Sequence, residues 1–589
     1  MTKLSISNLG LASISSFVLA VVACGSTSNP TTPGGAAGAA PSAGGPSGSS
    51  GSPGNTAGAQ GSSAGTGNGK AGSTGGTYVP YGSGGAGSGT GGSNPGTAGS
   101  APTAGGAGTG GGSAAPPLPP LVTSAPGAYW KTDGALTEST AAATVTVNDT
   151  TTLQKWDGFG GTFNELGWSF LTTPELQNAA LKLLFSASDG AALAWGRIPI
   201  GASDYATSRY TLEDITGADP TPDSTESNRP AVDTELTKFS LERDKAKLIP
   251  YIKAAQGVKS DIRFWASPWT PPVWMKTGYM KVSGADRNGA NAKKPSYYDG
   301  GTMKSDATTL TAYAKYYTKF VQGYKDQGIN IEVVSPQNEP GYDQNYPSCL
   351  WDKAVYADFI GTYLGPAMSK LNVKVMLGSL SNDQTDFTIA SAALANTTAK
   401  GFLSVIGAQW NTLDANKLTA LNANLPIWAS EHKCGNYPWN PDGYPKYVEP
   451  APNDQAYGVE SWGYIRDAIL KVKVTAYNAW NMVLDKGGYG IDTTRPWAQD
   501  ALLVVDGGKV NPTPFYYVFR HLSQYVAPGA TVVGTTGGDA VAFKNLDGSL
   551  VAVLFNSGAA NANYVVAIGS KKFQFAMPSN GWATVKYKP

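Results

Sequence analysis

Two glutamates each follow an apolar segment that has the composition of a buried β-strand. Glu339 comes shortly after residues 331–335, and Glu431 comes directly after residues 426–430. In a parallel α/β barrel the carboxyl ends of all strands share one face, so both side chains would reach the same region. Two carboxyl groups there could hydrolyse a glycosidic bond, because one protonates the leaving oxygen while the other attacks the anomeric carbon.

The neighbours of Glu339 decide its interpretation, since a glutamate at a strand end is usually solvated or salt-bridged. The sequence Asn338-Glu339-Pro340, after a predicted barrel strand, resembles the acid/base motif of retaining (β/α)8 glycosidases. The resemblance implies that Asn338 binds the 2-hydroxyl group of the sugar. It also implies that Glu339 is the proton donor.

Further segments resemble glycoside hydrolase family 30, which contains glucosylceramidases, β-1,6-glucanases, β-1,6-galactanases, xylanases and β-xylosidases. They occur in the order of the family, at residues 157–161, 267–276, 337–340, 430–431, 480–485 and 516–521. The most specific of them reads Ser-Pro-Trp-Thr-Pro-Pro-Val-Trp-Met-Lys. We know of no unrelated fold that combines this segment with Asn-Glu-Pro.

The resemblance implies further roles. Glu431 looks like the nucleophile, and Trp269 and Trp480 look like walls of the −1 subsite. An indole ring offers a flat apolar face to the C–H side of a sugar, although core packing is the alternative for each tryptophan. Arg197, at a predicted strand end, either holds the nucleophile ionised or forms a buried structural ion pair.

Several positions depart from the glucosylceramidase pattern. Glu165 stands where those enzymes have an aspartate, and Gln409 and Asn411 flank Trp410 where they have a histidine and a tyrosine. These positions line the sugar pocket in the relatives. We therefore expect Glu165 and Trp410 to contact the substrate, and we do not expect strict glucosylceramide specificity.

Alternating strand and helix patterns would position these residues. Helical patterns such as residues 310–328 separate strand-like runs at residues 193–199, 262–266, 331–335, 373–377, 402–408, 426–430 and 476–482. This alternation within residues 126–506 predicts an α/β fold, a (β/α)8 TIM barrel. A doubly wound fold would need a GxGxxG turn, and the glycines of residues 158–161 lack that spacing.

The last segment, residues 507–589, contains short β-rich runs separated by Gly, Asp and Asn turns. This pattern predicts an associated C-terminal β-sandwich domain. The early strand near Thr144 is a candidate to join the sandwich rather than the barrel.

The amino terminus has the pattern of an export signal. An apolar run at residues 11–23 ends in Val-Val-Ala before Cys24, which resembles a bacterial lipoprotein signal with acylation of that cysteine. A plain signal peptide is the alternative. Residues 25–125 are rich in Gly, Ser, Ala and Pro and predict a disordered, flexible linker. We expect an outer-membrane or cell-surface lipoprotein, tethered to the bacterial membrane, or a secreted protein.

Composition limits the kinds of partner and cofactor that we expect the protein to bind. The net charge of +1 gives no reason to expect nucleic acid. Apart from Cys24, the chain has two cysteines, Cys349 and Cys434, which form either a disulfide or two separate buried thiols. Spacing for a metal site is absent. We expect a monomer that binds carbohydrate and needs no cofactor.

The expected function is hydrolysis of β-glycosidic bonds by double displacement. The favoured substrate is an extracellular polysaccharide of the β-1,6-glucan, galactan or xylan type. A glucosylceramidase-type glycolipid hydrolase is the alternative. A surface protein that binds carbohydrate without turnover is a further alternative, although both carboxylates and Asn338 are present.

Overall fold

The computed structural model describes residues 117–213, 225–280, 296–381, 384–435, 453–491 and 498–589. The predicted signal sequence, Cys24 and residues 25–116 of the predicted linker lie outside the described residues. None of the described helices is long and apolar enough to cross a membrane.

Eight parallel strands form a closed barrel. In chain order they are β1 Gly158–Thr162, β2 Trp195–Ile200, β3 Arg263–Pro268, β4 Ile331–Val334, β5 Lys374–Leu380, β6 Leu403–Gln409, β7 Ile427–Glu431 and β8 Ala476–Asp485. Each strand pairs with the next, and β8 pairs with β1 to close the ring. The predicted (β/α)8 TIM barrel is confirmed.

Large side chains fill one part of the barrel. Trp195, Trp265, Met376, Val405 and Trp428 come from five different strands and form one buried cluster. The rings of Trp195 and Trp428 lie 4.6 Å apart. Because this layer is packed, as in other TIM barrels, a ligand has to bind beyond it, at the carboxyl ends of the strands.

Helices cover the outside of the barrel. The described α-helices are Glu165–Phe170, Pro174–Phe185, Glu242–Ala246, Leu248–Val258, Ala307–Asp326, Lys353–Asp358, Gly365–Lys370, Thr385–Ala395, Thr397–Phe402, Ala415–Ala420, Gln455–Asp467 and Pro514–Ser523. The helix Ala307–Asp326 illustrates how they form. Asp306 caps its first turn by accepting a hydrogen bond from the Thr309 amide. Its buried Leu310, Tyr313 and Tyr317 recur every three to four residues and face the barrel.

The second domain is a ten-stranded sheet. Its strands, in spatial order, are Ala128–Lys131, Leu121–Ala125, Gly581–Tyr587, Leu550–Asn556, Asp539–Lys544, Thr531–Thr536, Val145–Lys155, Ala562–Ile568, Lys571–Met577 and Thr137–Glu138. A hairpin, Ala501–Asp506 and Lys509–Pro512, extends the barrel sheet beside β8. Its two-residue turn uses Gly507 and Gly508 at positive φ, where other residues would be strained.

The folded part therefore begins before residue 126, where we expected the linker to end. Leu121–Ala125 pairs with Gly581–Tyr587, and Val145–Lys155 pairs with Thr531–Thr536. Leu121 and Val122 are buried. Two apolar residues within a Pro-rich stretch give a weak strand pattern, and their partners lie more than 400 residues away in the chain.

The helix Pro514–Ser523 joins the two domains. The imidazole of His521 lies 2.8 Å from both Thr584 Oγ1 and Ser124 Oγ, and burial lowers its pKa to about 3. Phe519 on the same helix packs edge-on against Phe159 of β1. The segment at residues 516–521 that resembled the family thus fastens the barrel to the sandwich.

Candidate active site

The chemistry-bearing side chains meet at the carboxyl ends of the barrel strands. Arg197 lies in β2, Asn338 and Glu339 follow β4, and Glu431 ends β7. All four side chains are buried. This convergence was predicted from the sequence, because the carboxyl ends of parallel barrel strands share one face.

Arg197 connects the two glutamate-bearing loops. Its Nη1 donates to Glu431 Oε2 at 2.5 Å, and its Nη2 donates to Asn338 Oδ1 at 2.6 Å. Ser267, at the end of β3, accepts from Nε and from Nη2. A planar guanidinium has donors in a fixed geometry, so these bonds hold Glu431 and Asn338 in a defined relative position.

The two glutamates share an electrostatic environment. Burial raises the pKa of Glu431 to about 7, although Arg197 opposes this rise, and the charge of Glu339 adds to it. Burial also raises the pKa of Glu339, against hydrogen bonds from Gln409 and Tyr346. Because a charge on one carboxyl group disfavours a charge on the other, ionisation of either glutamate favours a proton on its partner. The direct bond from Arg197 opposes the rise in the pKa of Glu431 and so favours its charged form, and Glu339 has no such bond to a cation among the described residues.

The backbone around Glu339 is strained and well supported. Glu339 has a φ of 52°, in the left-handed region that non-glycine residues rarely adopt. Its amide donates to Ser379 O at 3.0 Å, and the Asn338 amide donates to Pro268 O at 2.8 Å. These bonds to the ends of β5 and β3 hold the turn in a conformation that turns Glu339 into the site.

Aromatic rings form one side of the site. Trp269 and Trp480 stack with centroids 5.2 Å apart, and Tyr205 meets Trp480 edge-on. The guanidinium carbon of Arg197 lies 4.5 Å from the ring of Trp269 and 5.2 Å from that of Trp480. Both tryptophans therefore lie beside the carboxyl groups, next to the cation that binds Glu431.

A third carboxylate, which we did not identify from the sequence, faces the same region. Asp204 lies beyond the end of β2, and its buried Oδ1 has no hydrogen-bond partner within the described part of the chain. Burial raises the pKa of Asp204 well above its usual range, and the charges of Glu431 and Glu339 add to the rise. Asp204 comes a few residues after the strand of Arg197. This position at the carboxyl end of a barrel strand was the sequence feature that could have identified it as a site residue.

Glu165 occupies a different environment from the one we expected. Arg243 donates to both of its oxygens, at 3.0 and 2.9 Å. Thr207 adds bonds from its amide and its hydroxyl to Oε2. The carboxylate of Glu165 is therefore engaged by protein donors, whereas Oδ1 of Asp204 has no partner among the described residues.

Trp410 belongs to the same buried cluster as Trp269, Trp480 and Tyr346. Tyr346 itself donates from its hydroxyl to Glu339 Oε2 at 3.2 Å. Gln409, at the end of β6, donates to Asn338 Oδ1 at 3.3 Å. Neither Tyr346 nor Gln409 was predicted as a partner of the Asn-Glu motif, because the bonds join distant loops.

The disulfide alternative is wrong, because Cys349 and Cys434 are both buried thiols. Cys349 packs in the large core cluster beside the buried ammonium of Lys276, whereas Cys434 packs with the aromatic rings of the site. The two cysteines thus lie in separate parts of the interior. Among the described residues no group of three His, Cys, Asp or Glu could hold a metal ion.

Comparisons with known proteins agree with this geometry. Residues 156–526 match the glycosyl hydrolase family 30 TIM-barrel domain, and residues 529–585 match the family 30 beta sandwich domain. Lysosomal acid glucosylceramidase of Mus musculus is 28% identical over 434 residues, which cover 68% of this chain and 75% of that protein. An endo-1,6-β-D-glucanase of Trichoderma harzianum is 25% identical over 440 residues, which cover 69% and 78%.

Among solved structures, an endo-β-1,6-glucanase has the same fold, with a TM-score of 0.64 and 22% identity over 80% of this chain and 98% of that one. The family domains span both the barrel that positions the paired glutamates and the sandwich that is fastened to it. The chain belongs to glycosyl hydrolase family 30.

Proposed function

We propose that this glycoside hydrolase is a retaining β-glycosidase that cleaves an extracellular polysaccharide, with Glu431 as nucleophile and Glu339 as acid/base. The observation that carries this proposal is the buried pair of glutamates, of which Glu431 alone is bonded to a cation among the described residues. A nucleophile has to be ionised and an acid has to hold a proton. The asymmetric placement of Arg197 favours that distribution.

In the first step Glu431 attacks the anomeric carbon, and Glu339 gives its proton to the leaving oxygen. The bond to the leaving group breaks as the ester to Glu431 forms. Glu431 loses its charge in the ester, which removes the repulsion between the two carboxylates and so lowers the pKa of Glu339. Glu339 can then remain ionised.

In the second step Glu339 takes a proton from water, which attacks the anomeric carbon and releases Glu431. The hydroxyl of Tyr346 donates to Glu339 Oε2 and stabilises its ionised form. Two inversions at the same carbon leave the product with the configuration of the substrate.

Side chains around Glu339 and Glu431 recognise the sugar. Asn338 offers its amide to the 2-hydroxyl, and Asp204 offers an unpaired carboxylate oxygen to further hydroxyls. Trp269 and Trp480 supply apolar faces for the C–H side of the ring. A site with this composition suits a neutral, hydroxyl-rich ring.

The choice of polysaccharide rests on two features. The fungal relative is named for activity on 1,6-β-D-glucan. In addition, the lipoprotein-like signal ending at Cys24 favours action at the bacterial cell surface. A glycolipid substrate is the second candidate, because the mouse relative is a glucosylceramidase of similar identity.

Azide rescue tests the two roles separately. With a 2,4-dinitrophenyl β-glycoside, Glu431→Ala should be inactive, and azide should restore turnover with an α-glycosyl azide as product. Glu339→Ala should retain the glycosylation step, because this leaving group needs no proton, and azide should then yield the β-glycosyl azide. The same anomer from both variants, or normal activity of Glu431→Ala, would remove these assignments.

A panel of substrates tests the polysaccharide assignment. Pustulan, arabinogalactan, xylan and glucosylceramide are compared side by side, and released reducing sugar and product length are measured. We expect turnover of one polysaccharide to exceed that of glucosylceramide. A clear preference for glucosylceramide would favour the second candidate, and binding without product would contradict hydrolysis.

A further inference from the structure

On the side of β8, side chains hold the residue that follows the proposed nucleophile. The register of β7 with β8 ends at Ala429, two residues before Glu431. His432 follows Glu431 directly and is fully buried. Its Nδ1 lies 2.6 Å from the hydroxyl of Tyr477 in β8, and its Nε2 lies 3.0 Å from Ser461 Oγ. These two hydrogen bonds take over where the backbone pairing with β8 stops.

The imidazole of His432 forms both bonds in its neutral form. Burial lowers its pKa to about 3, and the charge of Lys433 adds to the fall. A neutral imidazole has one nitrogen that donates and one that accepts, and a hydroxyl can do either. The ring therefore links β8 to the helix Gln455–Asp467, which carries Ser461.

The helix Gln455–Asp467 holds the same segment through two further residues. Tyr457 donates from its hydroxyl to the carbonyl of Lys433 at 2.7 Å. Glu460 forms an ion pair with the Lys433 ammonium. Tyr457, Glu460 and Ser461 are three and four residues apart, so they share one face of the helix. That face fixes the two residues that follow the nucleophile.

The same helix is anchored to the sandwich domain. Trp462 donates from Nε1 to Asp539 Oδ1 at 3.1 Å, and Arg466 donates from Nη1 to Oδ2 at 2.8 Å. Asp539 begins a strand of the sandwich. At the start of the helix, Gln455 donates from Nε2 to Asn580 O at 2.7 Å. Both ends of the helix are thus bonded to the sandwich.

A second helix that is fastened to the sandwich also reaches His432. The ring of Phe515 stacks on the imidazole with centroids 4.6 Å apart and an angle of 21° between the planes. Phe515 belongs to the helix that carries His521, which bonds to the sandwich through both ring nitrogens. Two helices that are fixed to the second domain therefore meet at the residue next to Glu431.

We propose that His432 is a positioning residue for the nucleophile, and that through it the sandwich domain keeps Glu431 in its reactive geometry. This inference rests on the proposed role of Glu431. Arg197 fixes the carboxylate itself, whereas His432 fixes the backbone that carries it. Attack on the anomeric carbon needs aligned atoms, and a displacement of about 1 Å can lower the rate about 100-fold.

Replacement of His432 tests the positioning role. The substrate is the 2,4-dinitrophenyl β-glycoside that turns over fastest among the glucoside, galactoside and xyloside. Because this leaving group needs no proton, kcat/KM reports attack by Glu431. The Ki of the free sugar reports binding before attack, and the thermal midpoint shows that each variant is folded.

His432→Leu removes both hydrogen bonds and should lower kcat/KM about 100-fold. The Ki of the free sugar should stay within about twofold, because the variant leaves the groups that bind the sugar in place. His432→Gln keeps a donor and an acceptor and should recover kcat/KM about tenfold relative to His432→Leu. Ser461→Ala removes the bond to the helix alone and should lower kcat/KM about tenfold.

Asp539→Ala tests the contribution of the sandwich. It removes the acceptor of two bonds from the helix and should lower kcat/KM by about three- to tenfold. In combination with His432→Leu it should cause no further fall, because both changes break the same link. Asp149→Ala is the matched control. Asp149 pairs with Lys544 in the same domain and is 32% exposed, against 28% for Asp539, and its removal should leave kcat/KM unchanged.

Normal kcat/KM in the folded His432→Leu and Ser461→Ala variants would overturn the positioning role. A Ki that rises in parallel with the loss of kcat/KM would also overturn it, since the sugar pocket would then have changed. Effects of Asp539→Ala and His432→Leu that multiply would exclude His432 as the link to the sandwich. Failure of the proposed function is distinguishable, because azide would then not restore turnover to Glu431→Ala.

Discussion

Replacement of Arg197 by methionine removes the cation that opposes the rise in the pKa of Glu431. The Arg197 side chain is fully buried, and the side chain of Glu431 is 10% exposed. Removing one partner of a buried ion pair costs about 3–5 kcal/mol, because the remaining charge is left without compensation. Glu431 can avoid that cost by taking up a proton, so its pKa should rise from about 7.

At about 1.4 kcal/mol per pKa unit, even the lower bound corresponds to a rise of about 2 units. The catalytically competent form, with Glu431 ionised, would then be scarce below neutral pH. We expect kcat/KM near pH 6 to fall by about 100-fold or more. The acidic limb of the pH profile should move to higher pH, and activity should recover partly as the pH rises.

The assay is the pH dependence of kcat/KM on a 2,4-dinitrophenyl β-glycoside, with the thermal midpoint as a check on folding. Arg263→Met is the matched control. Arg263 forms its ion pair with Glu332 at the opposite ends of the strands, where both side chains are about one-third exposed. A pair of that kind contributes about 0–1 kcal/mol. An unshifted acidic limb in the folded Arg197 variant would refute the reasoning.

Three further predictions concern individual side chains. Tyr346→Phe removes a donor that favours ionised Glu339, so the basic limb of kcat/KM should move to higher pH by up to about 1 unit; an unchanged limb contradicts this. Asp204→Asn should lower kcat/KM about 10- to 100-fold, because it weakens bonds to the sugar hydroxyls, and activity within twofold would exclude the contact. Burial raises the pKa of Asp244 to about 7, between the hydroxyls of Tyr210 and Tyr324. The folded state thus keeps a proton that the unfolded state loses above about pH 4, and stability falls by on the order of 4 kcal/mol as the pH rises from about 4 to 7. In urea unfolding, Asp244→Asn should lose this part of the pH dependence, and parallel curves for both proteins would contradict the assignment.

Much of the fold could be predicted because the strands of a parallel barrel are buried on both faces. Residues Trp195–Ile200 are all buried and, apart from Arg197, are apolar, which makes the strand visible in the sequence. The strand Leu121–Ala125 was assigned to the linker, because its partner Gly581–Tyr587 lies at the other end of the chain. Local composition carries no information about such a pairing.

The same contrast applies to the site. Glu339 and Glu431 could be brought together from the sequence, because each follows a strand and all carboxyl ends share one face. Glu165 was expected to contact the sugar, but Arg243, 78 residues further along the chain, engages both of its oxygens. Asp204 was missed, since a polar residue in a loop has no local pattern that shows whether the fold satisfies it.

Hydrogen bonding distinguishes side chains that the barrel holds in place from atoms that it leaves without a partner among the described residues. Glu431 and Asn338 both bond to Arg197, so their positions follow from the barrel itself. Asp204 and residues 409–411 instead retain atoms without partners in the described structure. A substitution at Asp204 therefore leaves the bond between Arg197 and Glu431 intact, so it tests substrate contacts separately from the proposed nucleophile.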